Sequence, residues 1–261
     1  MAILSAVQFR PRLAGSLAEV ADNYRRCEPL IHQAYDMGSQ FVVFPELCFT
    51  GYSFLNRDEA AQVCEKQDGP TYRFMRTVAL ELKAYVCWGY VEADDSGLYN
   101  AASLIGPDGK LLTSYRKVNL FSSDFLWATP GISSAPVVET EFGQTAIVVC
   151  RDLRDKIPLN IPRVAGKSVP LFPNQKLDLV AASVNWGKGG YPSNSWMDFT
   201  ANHGCTLIIA NRWGDELGSY GYKGEFGQGG SIIIEPSWKC HTGGVAFSKD
   251  CVVTANTENQ S

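Results

Sequence analysis

The length of its apolar runs constrains this chain more than any other feature. Ten of them, at residues 3–9, 41–44, 85–91, 99–105, 111–115, 145–150, 179–183, 206–211, 231–234 and 251–255, are four to seven residues long and rich in β-branched and aromatic side chains. That is the length of a strand, too short for a packed helix and far short of a membrane span. Phe41-Val42-Val43-Phe44 has no polar side chain, as a strand buried on both faces requires. Between the early runs lie two helical stretches. From Leu17 to Met37, the residues Leu17, Val20, Tyr24, Cys27 and Ile31 recur at roughly helical spacing, and Gly38 supplies the stop. Residues 71–82 read as a second helix, and Pro107-Asp108-Gly109 turns one strand into the next as a hairpin. Early helices and later hairpins together predict a mixed α/β layered fold. No shift of composition marks a linker, so residues 1–261 are expected to form one domain.

Charge narrows the function classes. A net charge of -4 with scattered Lys and Arg gives neither the basic face of a nucleic-acid binder nor a polybasic membrane patch. The opening Met1-Ala2-Ile3-Leu4-Ser5-Ala6-Val7-Gln8-Phe9 reads as a first strand rather than a secretory signal, and a cytoplasmic protein is expected. Eight cysteines without a C-x-x-C are expected to be reduced thiols. His32, His203 and His241 lie far apart, so no metal site is expected.

One run ends abruptly. In Ile147-Val148-Val149-Cys150-Arg151-Asp152-Leu153-Arg154, a β-branched strand carries a thiol to its last position, and charge follows at once. Cys150 can be a core cysteine, or a nucleophile presented at a turn where freed N–H groups stabilise negative charge. Glu46, in Phe44-Pro45-Glu46-Leu47, is either a solvated loop residue or a carboxylate withdrawn from water, the setting of a general base. Lys117, in Tyr115-Arg116-Lys117-Val118, is either an exposed residue after a hairpin or a fixed cation. A carboxylate, an ammonium and a thiol at three strand ends are the ingredients of acyl transfer through a thioester.

The order Phe44-Pro45-Glu46, Tyr115-Arg116-Lys117, then Cys150-Arg151-Asp152-Leu153-Arg154 resembles the nitrilase superfamily of carbon–nitrogen hydrolases, and within it the amidase branches related to ω-amidase. The resemblance covers nearly the whole chain. It includes Gln8 with Pro11, Gly51-Tyr52, Pro130-Gly131, Phe142-Gly143, Ser183 with Asn185-Trp186, Ala210-Asn211-Arg212 with Gly214, and Gly230-Ser231 with Ile233. It implies a four-layer α-β-β-α sandwich whose subunits pair into a homodimer or larger homo-oligomer. It also implies Glu46 as general base, Lys117 as oxyanion partner and Cys150 as nucleophile, with the Arg151 N–H completing the oxyanion hole. A small amide would be cleaved to ammonia or an amine without metal or organic cofactor.

The chain also departs from the pattern. Where many members place a second glutamate, spacing puts Asp124, one methylene shorter, and a shortfall of about 1 Å can cost on the order of a hundredfold in rate. After Arg154, relatives continue into a helix, whereas Pro158, Pro162, Pro170 and Pro173 predict a remodelled loop over 155–176. Cys150-Arg151-Asp152 favours an amide or carbamoyl bond over the nitrile that goes with Cys-Trp-Glu. Arg151 is a candidate partner for a substrate carboxylate, and Arg154 for an internal ion pair with Asp152 or Glu46. Tyr52, Trp186, Tyr191 and Trp196 are candidate pocket walls or plain core, with Tyr52 and Trp186 taken as substrate-binding. A nitrile or N-carbamoyl hydrolase, a catalytically weakened binding homologue and an acyltransferase remain the competing functions.

Overall fold

The computed structural model describes residues 2–154, 171–172, 175–187, 190–217, 223–224, 227–244 and 247–257. Strand β1 (Ala2–Gln8) leads through helix α1 (Leu17–Asp36) into β2 (Phe41–Val43). The short α2 (Arg57–Ala61) and longer α3 (Pro70–Leu82) then return the chain to β3 (Tyr85–Asp94). β4 (Gly97–Ile105) and β5 (Leu111–Arg116) follow as hairpins, and α4 (Asp124–Trp127) closes this half. The second half opens with β6 (Val137–Thr140), β7 (Gly143–Val149) and a 3-10 turn at Cys150–Leu153. It continues with β8 (Leu179–Val184), α5 (Asn194–His203), β9 (Thr206–Asn211), β10 (Glu216–Leu217), β11 (Lys223–Gly224), β12 (Ile232–Ile234), β13 (Cys240–His241) and β14 (Cys251–Thr257).

Among the described residues these strands form two six-stranded mixed sheets, in the orders β14-β1-β2-β3-β4-β5 and β13-β12-β9-β8-β7-β6. Each holds three adjacent parallel strands, β1-β2-β3 in one and β7-β8-β9 in the other, with antiparallel strands outside them. Parallel neighbours need crossovers, and α1 supplies that of β1 with β2, α3 that of β2 with β3 and α5 that of β8 with β9. The sheets pack face to face, β1 on β9 and β4 on β7, with α1 and α3 on one outer face and α5 on the other. The result is an α-β-β-α sandwich.

Strand alternation builds the layers. Leu4, Ala6, Phe41, Val43, Cys87, Ala102 and Leu104 face the second sheet, whereas Val7, Val42, Val86, Trp88 and Ala101 face α1 and α3. Helix α1 starts where Ser16 accepts a hydrogen bond from the Glu19 N–H and Glu19 reaches back to the Gly15 N–H, and it ends before Gly38 at φ +70°. The sequence reading places the ten runs on strands but misses α2, α4, α5, β6, β10, β11 and β13. Within 155–176, only Leu171, Phe172, Gln175 and Lys176 are described, so the expected remodelled loop lies outside the described residues. No helix of the described residues is long and apolar enough to cross a membrane. All eight cysteines are free.

Candidate active site

Glu46, Lys117 and Cys150 leave the ends of β2, β5 and β7, and each is held by its backbone. Past β2, the Gly89 N–H donates to the Pro45 carbonyl and the Cys48 N–H to the Gly89 carbonyl. A Cβ on Gly89 would sit 2.8 Å from the Glu46 Cα, so this approach of β3 needs glycine. At the end of β5, the Lys117 N–H donates 2.8 Å to the Asn100 carbonyl, and the Gly131 N–H donates 2.8 Å to the Lys117 carbonyl. At the end of β7, Cys150 takes φ +47° and the chain turns sharply into its 3-10 turn. Such a left-handed residue costs energy and persists only where its surroundings dictate it. Here the surroundings include Asp152, fully buried, whose carboxylate accepts from the Val149 N–H at 3.3 Å, the Asn119 N–H at 3.1 Å and the Tyr115 hydroxyl at 3.0 Å. Burial pushes the Asp152 carboxyl up to about 6, against the pull of Lys117 and these hydrogen bonds.

The side chains converge. Lys117, wholly buried, donates from Nζ to Glu46 Oε1 at 2.6 Å and to Asp124 Oδ2 at 2.7 Å. An ammonium has three N–H groups, so one remains for a ligand. Burial opposes the Lys117 charge, but Asp124 and Glu46 outweigh it and hold the ammonium pKa well above the usual lysine value. Asn100 Nδ2 bridges the two carboxylates, 2.7 Å from Glu46 Oε1 and 3.1 Å from Asp124 Oδ1. The Phe121 N–H donates 3.0 Å to Asp124 Oδ2. Glu46 Oε2 is buried without a hydrogen-bond partner. The Cys150 thiol rests 3.7 Å from the Asn185 carbonyl oxygen. Burial and the Glu46 carboxylate push this thiol well above the usual range, while Lys117 pulls the other way.

Of the expected substrate-binding residues, Tyr52 lies against this cluster, its ring centre 5.9 Å from Lys117 Nζ and its hydroxyl donating 2.9 Å to the Phe121 carbonyl. A buried ion pair, Arg212 with Glu216, underpins it: Glu216 Oε2 accepts from the Tyr52 and Ser53 N–H groups at 2.8 and 3.1 Å. Arg151 is half-buried, its guanidinium over the Phe121 ring at 5.2 Å and its Nε without a partner. Trp186 is buried, its backbone N–H donating 2.8 Å to Asn211 Oδ1. The ion pair expected of Arg154 with Asp152 or Glu46 is not among those of the described residues. Glu46 Oε1 and both Asp152 oxygens are taken by other partners, and the Arg154 guanidinium lies 4.7 Å from the Trp186 ring centre. Trp196 packs on Trp186 at 5.6 Å, while Tyr191 packs on Phe247 at 5.0 Å. No group of His, Cys, Asp and Glu among the described residues is arranged to hold a metal.

Sequence reasoning misses Asn100 and the Arg212–Glu216 pair. A single amide within Leu98-Tyr99-Asn100-Ala101-Ala102 is the one signal for the first, since a polar side chain in a buried strand needs partners.

A family model described as carbon-nitrogen hydrolase matches residues 3–239. A nitrilase of Pyrococcus abyssi is 34% identical over 153 residues, 58% of this chain and 56% of that protein. An omega-amidase of Danio rerio is 31% identical over 179 residues, 64% of this chain and 62% of that protein. The chain therefore spans under two thirds of the length of either relative. A mutant of the amidase from Nesterenkonia sp. AN1, solved with the acetamide moiety of fluoroacetamide added covalently at its active-site cysteine, superposes with a TM-score of 0.76 at 20% identity. That superposition covers 99% of this chain and 90% of the amidase.

Proposed function

The chain belongs to the carbon–nitrogen hydrolase family, and from that premise we propose that it is an amidase that cleaves a small linear amide through a Cys150 thioester. One observation carries the reading. Glu46 has one oxygen fixed by Lys117 and Asn100 and the other buried and free, beside a thiol too basic to ionise alone. Glu46 Oε2 takes the thiol proton as Sγ attacks the amide carbon. The third N–H of Lys117 and the backbone N–H of Arg151 stabilise the tetrahedral oxyanion. Collapse breaks the C–N bond, and Glu46 returns its proton to the departing ammonia or amine. Glu46 then deprotonates a water that attacks the thioester, and the acid leaves with Cys150 restored. Asp124 keeps Lys117 charged and aimed, with Tyr52 and Trp186 as walls of the acyl pocket.

The test is intact-protein mass spectrometry after incubation with fluoroacetamide and a panel of short amides, alongside ammonia release. An adduct on Cys150 with turnover of at least one amide is expected, and Cys150→Ala should lose both, with a fall in kcat of at least about 10⁴. Turnover surviving in Cys150→Ala overturns the thioester. Ammonia release without acylation of Cys150 does the same.

A further inference from the structure

The side-chain amide of Asn185 is a polar group near the nucleophile that the proposed chemistry does not use. Its backbone carbonyl lies 3.7 Å from Cys150 Sγ, and the residue is only 4% exposed. Both Oδ1 and Nδ2 are buried without a hydrogen-bond partner, a pairing found on no other side chain among the described residues. Two unpaired buried atoms on one side chain are costly, and such a cost is borne where a ligand completes the bonds. Glu46 Oε2, also unpaired, already has its use in the reaction; Asn185 does not.

The direction of the side chain follows from the strand. Ser183, two residues earlier on β8, donates 2.8 Å to the Phe44 carbonyl of the opposite sheet. β8 ends at Val184, and its alternation carried one residue further turns Asn185 toward that sheet, where Glu46 lies two residues past Phe44. β7 and β8 run parallel with Val149 beside Ser183, so Cys150 and Asn185 leave the same edge of their sheet. On that continuation the amide is directed toward the side where the sulfur, Glu46 and Lys117 meet, and its backbone carbonyl already lies beside the sulfur. An apolar acyl chain leaves both its atoms unpaired. A group that accepts one hydrogen bond and donates another satisfies both at once.

Resting on the amidase reading, we propose that Asn185 is a specificity-determining residue that reads a second carboxamide on the acyl side of the substrate, so that short diamides are the preferred class. The experiment compares isosteric pairs: malonamide with 3-methylbutanamide, succinamide with 4-methylpentanamide, and glutaramide with 5-methylhexanamide. In the wild type, kcat/KM should favour the diamide in at least one pair. In Asn185→Leu, of nearly the same shape, that ratio should collapse by roughly tenfold to a hundredfold, carried by KM more than kcat. Far-UV circular dichroism and a cooperative thermal melt report whether the variant is folded. If it is not, Asn185→Ser carries the same comparison. A wild type indifferent within every pair overturns the proposal, as does a variant in which both members of a pair fall together. Failure of every amide to acylate wild-type Cys150 is a different result, seen without any variant, and overturns the amidase reading together with this one.

Discussion

Lys117 spends two of its three N–H groups on carboxylates, and this division decides what each neighbour is free to do. With Oε1 of Glu46 engaged, proton transfer falls to Oε2, so Glu46→Gln should form no acyl-enzyme; mass spectrometry after minutes and hours with substrate checks it. Asp124→Asn removes the charge at the other end. A fall in kcat of about a hundredfold is expected, with KM changed less, because the ammonium matters most once the oxyanion forms; steady-state kinetics read the split. The missing methylene of Asp124 is a concern at the level of spacing alone. The chain offsets it by carrying Asp124 into the first turn of α4, where the Phe121 N–H holds it and Oδ2 reaches Nζ at 2.7 Å. Glu46, Lys117 and Cys150 are readable from their places at strand ends. Asn100 is not, because its role depends on the register of β3 with β4, which no local pattern states.

Among elements, the turn after β7 carries the most consequence. The buried carboxyl of Asp152 is pushed up to about 6 from its ordinary 3.8. The native state therefore binds the proton more tightly than the unfolded chain. The stability this gives is fully present below the ordinary value and is lost as pH rises through about 6, a change of roughly 3 kcal/mol. Asp152→Asn has no such titration. Urea unfolding of both proteins between about pH 4 and pH 8 should show the stability difference moving toward the variant as pH rises; parallel curves would remove Asp152 from that role. Helix α1 is readable from its cap, its periodicity and Gly38. Helix α5 carries comparable signals, with Trp196, Phe199 and Thr200 buried and Gly204 at φ +61°, but its first turn has neither a side-chain cap nor an acidic residue. The two-residue strands β10, β11 and β13 exist through pairing alone and leave too few positions for alternation to register.

At the scale of the molecule, the ten apolar runs give away the layered architecture, but the partition into two sheets does not follow from them. Parallel neighbours are chosen by crossovers and face-to-face packing, which residues far apart in sequence decide together. β1 illustrates this, pairing with β2 on one side and with β14, some 250 positions later, on the other. Removing the residues after Asp250 should therefore abolish amide turnover although Glu46, Lys117, Asp124 and Cys150 all remain. Val252, Val253 and Ala255 would leave the core and β1 would become a bare edge; ammonia release and thermal melting of the truncated protein test this. The seam at which the four site residues meet also has a temporal meaning. During synthesis the thiol emerges well before the strand that completes the sheet carrying its base. On the amidase reading, a nascent chain holds every proposed reacting group before they can act together, and competence is expected only once β14 has cleared the exit tunnel.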